Sequence, residues 1–268
     1  MSSVPKALPF GSTCYRSEHT NTFLPAQKIQ QRNSLKMRPH FFKSFCFLPM
    51  AVCIQSAFAD KLPKCDSTVK VTDVCSISLN HVHPSQFTVG QLEVDEKSKK
   101  IEEMSSKTRD AYLAKHPARI VVAPGDEIFI VDKHHLAKAL FELHYEKMDA
   151  IVTENLSQDD ETSFEKDMLK NHWTWLEDEN GNPMSFSELP RHLDDLKDDL
   201  YRSLSWLVRD GKGYTKLDTE PWQDFLWADF LRKNVEIDSH DRSLTRATAD
   251  GLKVAHSKKA SSLPGYLP

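Results

Sequence analysis

Apolar residues recur at Leu136, Ala139, Leu140 and Leu143, the i, i+3, i+4, i+7 spacing of one helical face, directly after the apolar run Ile128-Phe129-Ile130-Val131. The pattern predicts a strand that passes into an amphipathic helix, with Asp132 as the N-cap. Upstream, the β-branched run Ile120-Val121-Val122 and the turn residues Ala123 to Glu127 predict a hairpin with that strand. An extended segment is expected over Ile77–Gly90, helices over Glu93–Met104 and Lys107–Lys115, and a further strand at Ala150–Glu154. Beyond the acidic loop Gln158–Glu161 the spacing turns helical: Ser163–Asn171, a long helix over Leu193–Arg209, and Trp222–Lys233 begun by Pro221. Trp222, Phe225, Leu226, Trp227, Phe230 and Leu231 cover too wide an arc for one face, so that last helix is expected to pack on more than one side; the other reading of the same residues is an aromatic stacking platform for bases, and aromatic stripes at helical spacing are far more often core. The expected fold class is α+β: a polar lead-in over 60–76, a mixed core over 77–157, and a mainly helical region over 158–268 packed on it.

The N-terminal part reads differently. Arg38 and Lys43, then the apolar stretch Ser44–Ile54, then Ala57-Phe58-Ala59 have the order of a secretory signal peptide over 37–59, with cleavage leaving Asp60 first. The polar segment 1–36 shows no periodicity, and Met37 is the expected start of translation. The apolar stretch is shorter than the roughly 20 residues of a spanning helix, so no permanent membrane anchor is expected and the location should be periplasmic or secreted. Of five cysteines, only Cys65 and Cys75 follow the leader, and an oxidising compartment would let them pair as a disulfide. From Asp60 onward the chain carries 28 Lys and Arg against 38 Asp and Glu, a net charge of −10. So acidic a domain has no global field to draw in a polyanion, which disfavours duplex DNA but leaves room for a local pocket holding a small phosphate.

The strand-to-helix junction, Asp132-Lys133-His134-His135, carries the candidate chemistry. First-turn N–H groups of a helix lack intrahelical partners and sit at the positive end of its dipole, so a phosphate there would meet amides, Lys133 and two imidazoles. The same residues also read as a solvated helix start with two surface histidines lying off the apolar stripe. Among twelve histidines, His81 and His83 fall in the extended segment.

Four segments, LNHVHPSQFTVG (Leu79–Gly90), RIVVAPGDEIFIVDKHHLAKAL (Arg119–Leu140), DDLYRSLSWLVR (Asp198–Arg209) and FLWADFLR (Phe225–Arg232), occur in this order, and the chain from Leu79 to Tyr266 resembles the ParB-like nuclease group of the ParB/sulfiredoxin superfamily. That superfamily holds nucleotide phosphates at a helix-start box, Gly-Glu-Arg-Arg in ParB proteins and Gly-Cys-His-Arg in sulfiredoxins. The box here is Asp132 to His135. Lys133 stands at the sulfiredoxin cysteine, so sulfinic acid reduction, which needs a thiolate, is not expected. His135 stands at the family arginine, which weakens a CTP switch because imidazole offers neither permanent charge nor a bidentate fork.

The resemblance implies a nuclease or phosphoesterase with Asp132, His134 and His135 as catalytic candidates, His134 first, and Lys133, His134, His135 and Arg202 as phosphate ligands. Arg202 replaces the missing arginine if its helix packs beside the box; the other reading pairs it with Asp198 or Asp199. Asp229 is either paired structurally or a partner of a histidine. If His81, His83, His134 and His135 share a cleft, a divalent metal is a possible cofactor. Expected partners are a nucleotide, an oligonucleotide or another small phosphate ligand, with affinity that falls as pH rises past the histidine pKa. Two other functions fit the same residues: a non-catalytic nucleotide or phospho-ligand binding protein, and an exported interaction protein whose pocket has decayed.

Overall fold

The apolar runs on either side of Ala123–Glu127 pair as an antiparallel hairpin, β4 (Ala118–Val122) with β5 (Ile128–Asp132), Val122 opposite Ile128 and Ile120 opposite Ile130. The turn between them uses left-handed backbone at Gly125 (φ 74°) and Asp126 (φ 64°). This computed structural model describes residues 62–238 and 240–268, so the expected leader 37–59 and the segment 1–36 lie outside the described residues. β6 (Lys147–Asn155) runs parallel to β4 and antiparallel to β1 (Val74–Ser78), and β2 (Val82–Pro84) runs parallel to β5. The sheet order is therefore β1-β6-β4-β5-β2.

Strand alternation gives this sheet two apolar faces. Ile120, Val122, Ile130 and Val152 pack under α1 (Gln91–Glu103) and α3 (His134–Glu142), through Val94, Ile101, Leu136 and Leu140. Val121 and Phe129 pack on the other face against Phe164 and Met168 of α4 (Glu161–Lys170). α2 (Ser106–Ala114) links α1 to β4. A third apolar cluster joins α5 (Leu200–Asp210), α6 (Gln223–Asn234) and α7 (Thr245–Ala255) through Leu204, Val208, Trp227, Leu231 and Ala255. The mixed core followed by a mainly helical half is the expected α+β class, and no helix among the described residues is long and apolar enough to cross a membrane.

Three expectations need correction. Asp132 does not cap α3: it is the last residue of β5, held extended opposite Arg119, and Lys133 takes the N-cap position in left-handed backbone (φ 74°) without a side-chain cap. The long helix expected from Leu193 begins only after Asp199. Lys197–Asp198 form β7 instead, paired in parallel with β3 (Thr88–Val89), and the Asp199 carboxylate caps α5 by accepting the Tyr201 N–H at 2.8 Å. The lead-in is also not merely polar, because Cys65 and Val69 are buried in the core. Cys65 and Cys75 form a disulfide with Cα atoms 5.2 Å apart, which fastens this segment to β1.

Candidate functional site

Residues from the first turns of four helices line one cleft of about 260 Å³: Glu93 of α1, His134 and His135 of α3, Arg202 of α5, and Asp224 and Phe225 of α6. Close backbone approach brings them together. A Cβ on Gly90, the N-cap of α1, would lie 2.7 Å from the Ser203 amide nitrogen and 2.9 Å from the Arg202 carbonyl carbon, so only glycine lets α5 start against α1. Ser203 Oγ accepts the Leu92 N–H there at 3.2 Å, and Asp198 Oδ1 accepts the Gln91 N–H at 3.0 Å.

The two box histidines are built into the wall. His134 is 4% exposed and its Nε2 accepts the Ser85 N–H at 3.3 Å. Burial, with the Arg202 and His135 charges in the same direction, outweighs Asp132 and pulls its pKa down to about 3. Nε2 of His135 accepts the Gly90 N–H at 3.1 Å and lies 3.7 Å from Glu93 Oε2. Burial first, then Arg202 and Lys97, brings its pKa to about 4 despite Glu93. Both rings are therefore neutral at neutral pH, and the expected loss of an imidazolium on raising pH through neutrality does not belong to these residues.

The cations of the cleft differ in what they already hold. Lys97 pairs with Glu93 at 3.2 Å, Arg209 pairs with Asp224, and Lys133 lies 3.6 Å from Asp132, whose carboxylate also accepts the Lys133 N–H at 2.7 Å. Burial alone would raise the Glu93 and Asp224 pKa values. Neighbouring cations outweigh it and hold both at about 2: His135, which is itself protonated at the acid pH where Glu93 titrates, with Lys97 and Arg209 around Glu93, and chiefly Arg209 around Asp224. Arg202 stands apart. It is 6% exposed, makes no ion pair among the described residues, and its Nη1 is buried without a hydrogen-bond partner. Its guanidinium lies 3.3 Å from the centre of the Phe225 ring. The pairing with Asp198 or Asp199 does not form, because Arg232 takes the Asp199 carboxylate at 2.6 Å and Asp198 holds the Gln91 amide. Arg232 also binds Asp229 at 2.6 Å, so Asp229 is paired structurally.

His81 and His83 do not join the box. In β2, Val82 and Pro84 face inward, and alternation sends His83 to the other side of the sheet, where it stacks on Phe129 at 5.1 Å. It lines a separate aromatic groove with Phe164 and Arg191, and His81 is exposed. No group of three or more His, Cys, Asp or Glu side chains placed to hold a metal occurs among the described residues, so the expected divalent metal finds no donor set at His81 and His83.

The family described as "Putative ParB-like nuclease" matches residues 75–233, the segment that builds the sheet and all four helix starts of the cleft. The chain belongs to the ParB-like nuclease family. Among solved structures, protein Atu1540 from Agrobacterium tumefaciens is 29% identical, with 73% of this chain and 98% of that chain covered and a TM-score of 0.66. A conserved hypothetical protein from Pyrococcus furiosus is 22% identical over 35% of this chain and 36% of that chain, with a TM-score of only 0.24. No curated protein matches the sequence.

In this ParB-like protein Glu93, Lys97, Arg209, Lys216 and Asp224 are cleft residues that sequence reasoning did not single out, and Trp222 and Phe225, read there as part of an aromatic helix face, also line the cleft. Spacing could have found two of them. Arg209 follows Arg202 by two helical turns, and Lys97 follows Glu93 by one, so each pair shares a helix face. Asp224 carried no such signal, and the aromatic pattern that includes Trp222 did not place it here, because only the packing of α6 on α5 brings the two to the box.

Proposed function

We propose that this ParB-like protein is a nuclease or phosphoesterase that holds a phosphate of its ligand in the cleft, and that it works outside the cytoplasm. The observation that carries the reading is Arg202: a buried, unpartnered guanidinium beside an α3 start with no side-chain cap. An unpaired buried cation is costly and a phosphate oxygen would satisfy it, with first-turn amides of α3 as further donors. Arg202 thus takes the part of the arginine missing at His135. Lys133 and Lys97 supply charge at the rim. Neither imidazole is a ready acid or base, since each Nε2 already accepts a backbone N–H; the ionised carboxylates Glu93 and Asp224 are the groups able to align an attacking water.

The occupied imidazoles equally favour a second reading, a binding protein for a phosphate-containing ligand without turnover. Binding and hydrolysis of nucleotides and single-stranded DNA, with and without divalent metal, separates the two. Arg202→Gln should weaken binding about tenfold to a hundredfold, as expected for one charge-assisted contact. Wild-type-like binding by that variant would end the phosphate reading. The leader pattern over 37–59 and the Cys65–Cys75 disulfide support export. N-terminal sequencing of exported protein should give Asp60-Lys61-Leu62, and an intact Met37 on a cytoplasmic protein would refute it.

A further inference from the structure

Trp222 forms the α6 side of the cleft as the N-cap residue of that helix, and it belongs to none of the three apolar clusters that hold the fold together. Its neighbour Trp227 is a core residue, fully buried, with its indole N–H donated to the Pro264 carbonyl at 2.9 Å. Trp222 is only half-buried. Behind it stands a rigid aromatic stack: Phe225 at 5.3 Å and 72°, Trp175 at 5.7 Å, and Trp175 in turn stacked on Phe225 at 4.9 Å. Phe225 touches the Arg202 guanidinium on one side and Trp222 on another, so the indole stands one ring away from the unpartnered cation.

A phosphate anchor with a half-exposed, backed indole beside it has the chemistry of a nucleotide, in which a flat π-faced base stands one sugar away from the phosphate. Resting on the phosphate reading of the cleft, we propose that Trp222 is the stacking surface for an unpaired base and that the ligand is a nucleotide unit whose phosphate lies on Arg202. Stacking needs a free base face. Paired bases within a duplex do not offer one, which agrees with the acidic chain, and stacking accepts every base, so sequence preference is weak. A sugar phosphate or a phospholipid headgroup would use Arg202 and leave the indole idle.

The test measures, by calorimetry on the purified protein, binding of thymidine 5′-monophosphate, deoxyribose 5-phosphate, inorganic phosphate, and a short thymidine oligonucleotide as single strand and in duplex. Wild type should prefer the nucleotide over deoxyribose phosphate by roughly fivefold to a hundredfold, the range of one base stack. Trp222→Ala should abolish that preference while leaving deoxyribose phosphate and inorganic phosphate binding unchanged, and Trp222→Phe should keep most of it. Trp222→Leu, which preserves apolar bulk, should melt like wild type and also lose the preference. A single strand bound more tightly than the mononucleotide identifies a polynucleotide; equal affinities identify a free nucleotide. Equal wild-type affinity for nucleotide and deoxyribose phosphate, tighter binding of the duplex, or an undiminished preference in Trp222→Ala overturns the stacking proposal while phosphate binding stands. Failure of wild type to bind any phosphate-containing probe would instead overturn the phosphate reading.

Discussion

Nε2 of His134 accepts the Ser85 backbone N–H at 3.3 Å, joining the start of α3 to the segment that follows β2. Truncating the ring orphans a buried donor, which costs about 1–3 kcal/mol before any cavity cost. His134→Ala should therefore lower the urea midpoint clearly at neutral pH, and His134→Gln, whose carbonyl can accept the same N–H, should lower it less. A His134→Ala protein as stable as wild type would show that the bond to Ser85 contributes nothing to the fold.

The depressed histidines set a pH window. His134 at about 3 and His135 at about 4 bind protons less readily folded than unfolded, where the ordinary value is about 6.5. As pH falls through 6.5 the unfolded chain takes up protons first, so the contribution is complete above that pH and is lost progressively toward the folded values. Each ring adds a slope approaching about 1.4 kcal/mol per pH unit over that window. Thermal melts from pH 7 to 4.5 should show falling stability, with a shallower slope in His135→Asn. A flat profile would mean that the rings titrate normally.

Arg202 predicts opposite effects on stability and binding. The guanidinium is buried against Phe225 without an ion pair among the described residues, and the Asp224, Asp199 and Glu93 carboxylates act on it only at longer range. Arg202→Met should leave the thermal midpoint unchanged or raised, while phosphate binding weakens about tenfold to a hundredfold. A large drop in midpoint would identify Arg202 as a structural residue.

Gly90→Ala brings a methyl group to 2.7 Å from the Ser203 amide nitrogen, a backbone atom that yields only if α5 moves. Overpacking of this kind costs about 1–3 kcal/mol, and the shift carries Arg202 with it. Both the melting temperature and the affinity for phosphate should fall. Unchanged affinity in the folded variant would separate the α1–α5 contact from the site.

The disulfide should be measurable directly. Closing so short a loop is worth about 2–3 kcal/mol in the chain-entropy account. Reductant should lower the melting temperature of wild type and leave the Cys65→Ala/Cys75→Ala protein unmoved. Full alkylation of both cysteines without reductant would rule the bridge out.

Periodicity is local, and what it reports is local. The Leu136–Leu140 stripe, the Ile120–Val131 hairpin and the helices after Glu93 and Ser163 were legible because burial of one face imposes a 3.6- or 2-residue spacing on neighbours in the chain. The Asp132 cap and the long helix from Leu193 were misread for one reason. In each case a strand pairing, β5 with its hairpin partner β4 or β7 with the distant β3, claimed residues whose side chains suit a helix start or interior. α7 went unread, its apolar positions being small or far apart.

By itself the sequence indicated the α+β class, the box at 132–135 and two cysteines able to pair, since each rests on residue type and short-range spacing, while Arg202 became a candidate only through the family resemblance. The tertiary structure alone decided which of these groups remain free to act. It locked His134 and His135 as neutral acceptors of the Ser85 and Gly90 amides, sent His83 to the opposite sheet face, gave Asp199 to Arg232, and left Arg202 unpaired beside Phe225 and Trp222. Those outcomes depend on burial and on partners twenty to fifty residues away in the chain, and hydrogen-bond competition among such groups is resolved only when the chain packs.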